Sequence, residues 1–135
     1  MPDVVRDARA MLANMTPVLT AGEYVFCATK DADVVTRAMP LVLGWFREEE
    51  GVTLILARAD ALALGFSGDM PMRRIVLEVF SSLEGIGLTA AVAGALAAEG
   101  IACNMVAAFH HDHVFVPADM AERALTLLHD VQKRA

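Results

Sequence analysis

The sequence predicts an α+β fold of antiparallel strands and packed helices, and the second half of the chain carries that prediction. Residues 73–80, RRIVLEVF, alternate in the manner of a strand, and residues 88–99 place apolar and small side chains at helical spacing. Two β-rich runs, 101–109 and 114–117, flank a polar tip, and an amphipathic helix follows at 118–133. This β-α-β-β-α order is that of a ferredoxin-like βαββαβ unit that lacks only its closing strand.

The first half shows a less regular series of elements. Residues 4–15 have helical spacing, and Pro17 ends that helix because proline disfavours helix in the residue before it. The other predicted elements of this half are strands at 24–29, 41–46 and 52–57, a polar connection or loop at 30–40, and a short helix at 58–65. This half either lends the missing closing strand to the second half or pairs its own sheet alongside.

A short segment marks the boundary between the halves. Ser67-Gly68-Asp69, followed by Pro71, combines turn-forming residues over a few positions. We therefore predict an N-terminal subdomain at 1–68 and a C-terminal subdomain at 69–135, packed together. The two are at best divergent copies, since no exact internal repeat is visible.

Composition restricts the classes of partner. The chain has 135 residues with 11 basic against 17 acidic side chains, a net charge of −6, which argues against a nucleic-acid partner. No apolar run reaches the roughly 18 residues of a membrane helix, and the N-terminus with Asp3 is a poor signal peptide, so we expect a cytoplasmic protein. The 56% apolar fraction favours a buried homodimer face.

Signs of catalysis are few. The sequence has no G-x-S-x-G, P-loop, C-x-x-C or G-x-G-x-x-G motif, so we predict no catalytic residues and no cofactor. Cys27 and Cys103 lack metal-ligand spacing and are interpreted as reduced, buried small hydrophobes. Glu48, Glu49 and Glu50 are interpreted as a solvated hairpin tip.

The strongest candidate site is the turn between the strand at 73–80 and the following helix. Ser81 and Glu84 form an S-x-x-E capping signature, and Gly85 and Gly87 allow a ligand to approach the backbone closely. The start of a helix offers N–H donors that suit an α-carboxylate, while Glu84 and Thr89 offer contacts to the rest of an amino acid. The alternative is a turn that only caps the helix.

Two polar features of the following hairpin have similar alternatives. Asn104 interrupts an apolar strand, and is either hydrogen-bonded within the fold or in contact with a ligand or partner. His111, Asp112 and His113 belong to the HHDH tip, which is interpreted first as a structural turn, then as a secondary ligand or interface contact, and last as a metal site. We predict no metal, because no second cluster supplies further ligands.

The chain resembles the small bacterial proteins with tandem ACT domains, which are related to the ACT modules of arginine sensors. The resemblance spans about residues 8–130, is densest from Ser81 on, and includes the segments YVF at 24–26, FRE at 46–48, GVTL at 51–54, SSLE at 81–84, GIGLT at 85–89 and HDHVFVP at 111–117. It departs from the family pattern in the first half, where no clear leading strand is evident.

The resemblance implies an α+β protein of two ferredoxin-like subdomains, whose antiparallel sheets pack together. It also implies a regulatory protein that binds an amino acid or a similar small metabolite at an interface between ACT domains. Carried over by position, the binding residues are Ser82, Glu84, Gly85, Gly87, Thr89 and Asn104. It further implies a homodimer and a protein partner that responds to the ligand. The alternatives are a metal-dependent enzyme that uses the HHDH hairpin, or a structural module that binds a partner and no ligand.

Overall fold

The computed structural model describes residues 10, 12–78 and 87–135, which form two compact units. The middle unit is Gly22–Met72, and the outer unit combines the described residues before Gly22 with Arg73–Ala135. The elements, in chain order, are β1 (Thr16–Leu19), β2 (Tyr24–Thr29), α1 (Ala32–Ala38), β3 (Gly44–Glu48), β4 (Gly51–Ala57), α2 (Arg58–Ala63), β5 (Met72–Glu78), α3 (Leu88–Ala98), β6 (Asn104–Ala107), β7 (Asp112–Pro117) and α4 (Ala121–Arg134).

Each unit has the strand order of a ferredoxin-like fold. In the middle unit β4 lies between β3 and β2, and in the outer unit β7 lies between β6 and β5. The hairpins β3–β4 and β6–β7 are antiparallel, as is the β2–β4 pair. The predicted fold class, antiparallel α+β with two ferredoxin-like copies, is therefore confirmed. The predicted boundary at 68/69 remains a prediction.

The closing strand of the outer unit comes from the start of the chain. β1 pairs antiparallel with β5, with Thr16 opposite Glu78 and Leu19 opposite Ile75. Of the two arrangements that the sequence left open, the first half therefore lends a strand. The helix predicted at 4–15 ends earlier than expected, since residues 12–14 are helical and the strand begins at Thr16.

Proline is compatible with this strand because of its position in the ladder. The Thr20 N–H donates to the Arg74 carbonyl at 2.9 Å, so antiparallel alternation directs the backbone groups of Thr16 and Val18 toward β5 as well. The nitrogen of Pro17, which carries no hydrogen, then faces the open side, and no ladder bond is lost.

The helices of the outer unit cover one face of its sheet. Leu88, Val92 and Leu96 follow one another at four-residue spacing on α3 and are buried. Ile75, Leu77, Val114 and Val116 of the sheet and Ala121, Ala124 and Leu128 of α4 complete this core. Neighbours of these strand residues, such as Phe115 and Arg74, therefore lie on the other face of the sheet.

The end of α3 matches the sequence prediction in detail. Gly100 has a φ of 74°, its N–H donates to the Ala97 carbonyl, and the Ile101 N–H donates to the Leu96 carbonyl at 3.0 Å. This bonding pattern is a Schellman motif, in which a left-handed glycine ends the helix. Leu96 and Ile101 are both buried in the same core, which adds the usual apolar contact.

Residues 30–40, predicted as a connection, contain helix α1. The Asp31 carboxylate accepts hydrogen bonds from the N–H groups of Asp33 and Val34, at 2.9 and 3.4 Å, and so caps the helix start. The β-branched run at 34–36 weakens the helical signal in the sequence. Burial of Ala38 against the middle sheet compensates for that low propensity.

Strand β3 begins three residues later than predicted. The N–H groups of Leu41 and Val42 both donate to the Ala38 carbonyl, at 2.8 and 3.1 Å, so these residues continue the turn that follows α1. The core of the middle unit is formed by residues of β2, β4, α1 and α2, namely Val25, Ala38, Leu54, Leu56 and Ala61, with Cys27, Met39, Val42, Val52, Leu64 and Phe66 at its margin. In the part of the chain that the structure describes, no helix is both long and apolar enough to cross a membrane.

Candidate functional site

The start of α3 is built around Gly87. This residue has a φ of 98° and is the N-cap of the helix, and the Ala91 N–H donates to its carbonyl at 2.9 Å. The left-handed conformation favours glycine over any residue with a Cβ atom. Gly87 has no side chain with which to cap the helix, and the first N–H groups of α3 have no partner within the helix.

Only part of the predicted ligand-binding set can be placed. Ser82, Glu84 and Gly85 lie outside the described residues, as does Ser81 of the capping signature. Thr89 is exposed in the first turn of α3.

Asn104 lies far from this helix start within one unit. It is exposed on β6 opposite Phe115, on the sheet face away from the helices. An 11-residue helix is about 16 Å long, and it separates Thr89 in its first turn from Asn104, which follows its end. One outer unit alone therefore does not bring Thr89 and Asn104 together.

The HHDH segment is less of a turn than the sequence suggested. The Ala108 N–H donates to the His111 carbonyl at 3.1 Å, which leaves Phe109 and His110 as the hairpin tip. Asp112 and His113 already belong to β7 and pair with Ala107 and Val106. They consequently point to opposite faces of the sheet.

An arginine that the sequence analysis did not select lies beside His113. Arg74 Nη1 is 3.5 Å from His113 Nδ1, and both residues lie on the face away from the helices. The Thr20 hydroxyl donates to the Arg74 carbonyl at 3.1 Å, and Arg73 Nη2 donates to the Thr20 carbonyl at 3.0 Å. The Arg73-Arg74 pair in an otherwise apolar strand was the available signal for this polar cluster.

The two titrating groups of β7 are shifted in opposite directions. Burial lowers the pKa of His113, and the positive charge of Arg74 and the neighbouring His111 lower it further against the opposing charge of Asp112. Burial also raises the pKa of Asp112, against the lowering effect of His113 and His111. Burial thus disfavours the charged form of each group, and together with Arg74 and His111 it favours a neutral His113 imidazole in the folded protein.

Metal-binding and redox chemistry have little support among the described residues. Within 10, 12–78 and 87–135, no group of three or more His, Cys, Asp or Glu side chains is arranged to hold a metal ion. Cys27 and Cys103 are free thiols, half-buried at the margins of the two cores. Burial raises the pKa of each thiol, so both stay protonated at neutral pH.

Comparisons with known proteins find matching family models and similar structures. Two family models described as the ACT domain match residues 5–73 and 72–130. A crystal structure from Vibrio cholerae, of a protein of unknown function described as a possible transport protein, is 37% identical with a TM-score of 0.84, and the alignment covers 96% of this chain and 98% of that one. No curated protein matches.

More distant structures share the fold at low identity. The ligand-free regulatory subunit of aspartate kinase from Thermus thermophilus is 12% identical with a TM-score of 0.64, covering 87% of this chain and 97% of that one. A protein from Agrobacterium tumefaciens is 15% identical with a TM-score of 0.61, covering 88% and 90% of the two chains.

Proposed function

Since this chain belongs to the ACT-domain family, we propose that it is a regulatory protein that binds an amino acid or a similar small metabolite at an interface between ACT domains. The supporting observation is Gly87, which begins α3 with a left-handed backbone and has no side chain of its own at the helix start. Such a start attracts a carboxylate through free N–H groups and the partial positive charge of the helix. The regulatory subunits of aspartate kinase have the same fold, which agrees with a regulatory role.

In the proposed site, Gly87 and Thr89 bind the carboxylate side of the ligand, and Ser82, Glu84 and Gly85 of the preceding segment add further contacts. Asn104 then belongs to the facing ACT domain, because the length of α3 separates it from Thr89 within one unit. His111, Asp112 and His113 are secondary contacts in this proposal. We expect a cytoplasmic homodimer.

The ligand acts on this protein by shifting its conformational equilibrium. A ligand at an interface favours the arrangement in which both sides contact it, by its difference in affinity for the two states. A regulated protein partner then responds to the population of that arrangement. No catalytic step is part of the proposal.

The direct test is a thermal-shift screen of the twenty amino acids, followed by calorimetry on any that stabilise the protein. A ligand at one hundred times its Kd stabilises the folded state by about 2.7 kcal/mol, which a melting curve resolves. If none of the twenty shifts the melting temperature and calorimetry on the same set shows no heat, amino-acid binding is wrong. If the protein binds no amino acid but does bind a protein partner, the result supports the alternative function, a structural module that binds a partner and no ligand.

A glycine-to-alanine pair locates the site. Gly87→Ala forces a Cβ into a left-handed backbone, which costs about 1–3 kcal/mol, and we expect ligand affinity to fall by about tenfold or more. Gly94→Ala is the matched control within α3, because its added Cβ meets nothing within 4 Å. The control should bind as the unmodified protein does. If calorimetry on the folded variants gives the same ligand affinity for Gly87→Ala and Gly94→Ala, the start of α3 does not belong to the binding site.

A further inference from the structure

Three side chains that can carry positive charge lie close together in the outer unit. Arg74 Nη1 is 3.5 Å from His113 Nδ1, and the two residues belong to the neighbouring strands β5 and β7. His111 precedes His113 by two residues and is near enough for its charge to lower the pKa of that ring. We call Arg74, His111 and His113 the Arg–His cluster.

The Arg74 side chain is held in place by the end of β1. Its Nε donates to the Thr20 hydroxyl at 3.5 Å, and that hydroxyl donates in turn to the Arg74 carbonyl at 3.1 Å. The Thr20 N–H donates to the same carbonyl at 2.9 Å. Because Nε is engaged toward β1 while Nη1 extends toward β7, the planar guanidinium is oriented before any ligand arrives.

The two histidine rings of the cluster have hydrogen-bonding capacity that the protein does not use. Among the residues that the structure describes, the His113 ring makes no hydrogen bond other than its contact with Arg74. Nδ1 of His111 is shielded from solvent and, within the same ranges, has no hydrogen-bond partner. A shielded polar atom without a partner costs free energy unless a water, an ion or a ligand satisfies it.

No acidic side chain lies beside the cluster on its own face of the described sheet. Glu78 shares that face, but it is four residues from Arg74 on β5, about 13 Å along the strand. Asp112, next to His113 in the chain, points to the opposite face. The adjacent strands present only uncharged side chains on this face, namely Asn104 and Val106 from β6 and Thr16, Val18 and Thr20 from β1.

From this geometry we infer that the Arg–His cluster binds an anionic group, the phosphate or carboxylate of a small metabolite, between the Arg74 guanidinium and the imidazoles of His113 and His111. A guanidinium binds either group through parallel N–H donors, and a protonated imidazole adds a charge-assisted hydrogen bond. The site goes beyond the proposed function, in which the histidines are only secondary contacts. It lies near the start of β5, on the face away from the helices, whereas Gly87 follows the other end of that strand.

Anion binding and proton uptake by His113 are linked in this site. Without a ligand, burial, Arg74 and His111 keep the pKa of His113 below its ordinary value of 6.5, so the ring is mostly neutral at pH 7. A bound anion favours the protonated ring. If the anion raises this pKa by about one unit, the protonated protein binds it about tenfold more tightly than the neutral protein does. The affinity should therefore increase as the pH falls below about 6.5.

NMR titration of the histidine rings tests the site directly. We expect the pKa of His113 to rise by about one unit in sodium phosphate or sodium acetate, relative to sodium chloride at the same ionic strength. A rise with only one of the two anions identifies the group that binds. His129, on α4, is the internal reference and should respond equally to all three salts. An equal rise of the His113 pKa in all three salts is ordinary screening and would overturn the inference, as would no rise in any.

A pair of arginine substitutions locates the anion. Arg74→Gln should lose most of the rise that phosphate or acetate produces in the pKa of His113. Arg123→Gln is the control, because Arg123 is exposed on α4 and pairs with Glu99 at 3.0 Å. It should keep the full rise, and circular dichroism verifies that both variants are folded. A full rise in Arg74→Gln would contradict binding at this cluster.

A carboxylate supplied by the protein itself provides a test that leaves Arg74 in place. Val106 lies directly opposite His113 on β6 and is 37% exposed. Val106→Glu places a carboxylate within reach of the His113 ring, so the pKa should already be raised in chloride, and phosphate should add little. Val106→Gln is the uncharged control and should respond to phosphate as the unmodified protein does. The same phosphate response in both variants would place the anion elsewhere.

The anion site and the proposed amino-acid site can fail separately. Gly87→Ala should keep the response of His113 to the anion, and Arg74→Gln should keep the amino-acid affinity that calorimetry measures. A protein that binds an amino acid but shows no His113 response retains the proposed function and loses the anion site. A His113 response without amino-acid binding has the opposite meaning.

Discussion

His113 illustrates how one side chain couples stability to pH. In the folded protein its pKa lies below the ordinary value of 6.5, chiefly through burial and then through the positive charge of Arg74. The unfolded chain therefore binds this proton more tightly than the folded chain does. The contribution of the neutral imidazole to the free energy of unfolding is present above about pH 6.5 and is lost as the pH falls below it.

Substitution of this histidine should flatten that pH dependence. We expect His113→Gln to reduce the loss of unfolding free energy between neutral pH and about pH 5, measured by urea denaturation at several pH values. His110→Gln, at the exposed hairpin tip, is the control and should keep the slope of the unmodified protein. Asp112 acts in the opposite direction at lower pH, because its raised pKa favours the protonated carboxyl in the fold.

The arginine beside His113 provides an independent test of the cause. Removal of its charge in Arg74→Gln should raise the pKa of His113 toward the ordinary value, which NMR titration of the imidazole measures. An unchanged pKa in that variant would show that Arg74 does not contribute and would leave burial and His111 as the causes of the shift. The histidine segment was evident in the sequence, whereas its contact with Arg74, which lies 39 residues earlier, required the folded sheet.

At the scale of elements, α1 depends on its cap more than on its composition. The Asp31 carboxylate accepts from the N–H groups of Asp33 and Val34 at the helix start, and three β-branched residues follow inside the helix. We expect Asp31→Ala to lower the free energy of unfolding by about 1 kcal/mol, measured by urea denaturation.

The control for this cap is Asp69→Ala. Asp69 is an exposed aspartate in the loop after α2, and its backbone N–H donates to the Ser67 hydroxyl, a bond that the substitution leaves in place. This variant should change the free energy of unfolding by less than about 0.5 kcal/mol. Equal losses in the two variants would mean that the charge, and not the cap, stabilises the protein.

For the whole molecule, the pairing of β1 with β5 connects the start of the chain to a distant strand. The alternation set by the Thr20 N–H bond to Arg74 places the Val18 N–H against the Val76 carbonyl. Val18→Pro removes that donor and leaves the carbonyl unpaired, a loss of about 1–3 kcal/mol in the free energy of unfolding. Val18→Ala keeps the N–H and is the control, with chemical denaturation as the measurement.

A Val18→Pro variant as stable as Val18→Ala would show that β1 contributes little to the outer unit. The expected difference matters for the architecture, because the first ACT match runs over 5–73 while its β1 segment pairs with the strand that opens the second half. The two tandem copies are consecutive along the chain, but the closing strand of the second copy precedes the first.

The sequence by itself determined the elements whose signals are local. The alternation of β5, the apolar spacing of α3 and the glycine that ends it predicted their structure from neighbouring residues alone, since strand and helix periods and left-handed glycines act over a few positions. The ACT resemblance, densest in the same half, was likewise a property of contiguous segments. For these reasons the fold class could be predicted correctly from the sequence alone.

Only the tertiary structure decided the features that depend on distant partners. TPVL became the closing strand β1 because β5 offered an unpaired edge, and residues 32–38 became helix α1 because Asp31 capped them and the middle sheet buried Ala38. Hydrogen bonds and burial between segments far apart in sequence leave no local pattern, so they emerge only when the chain is folded.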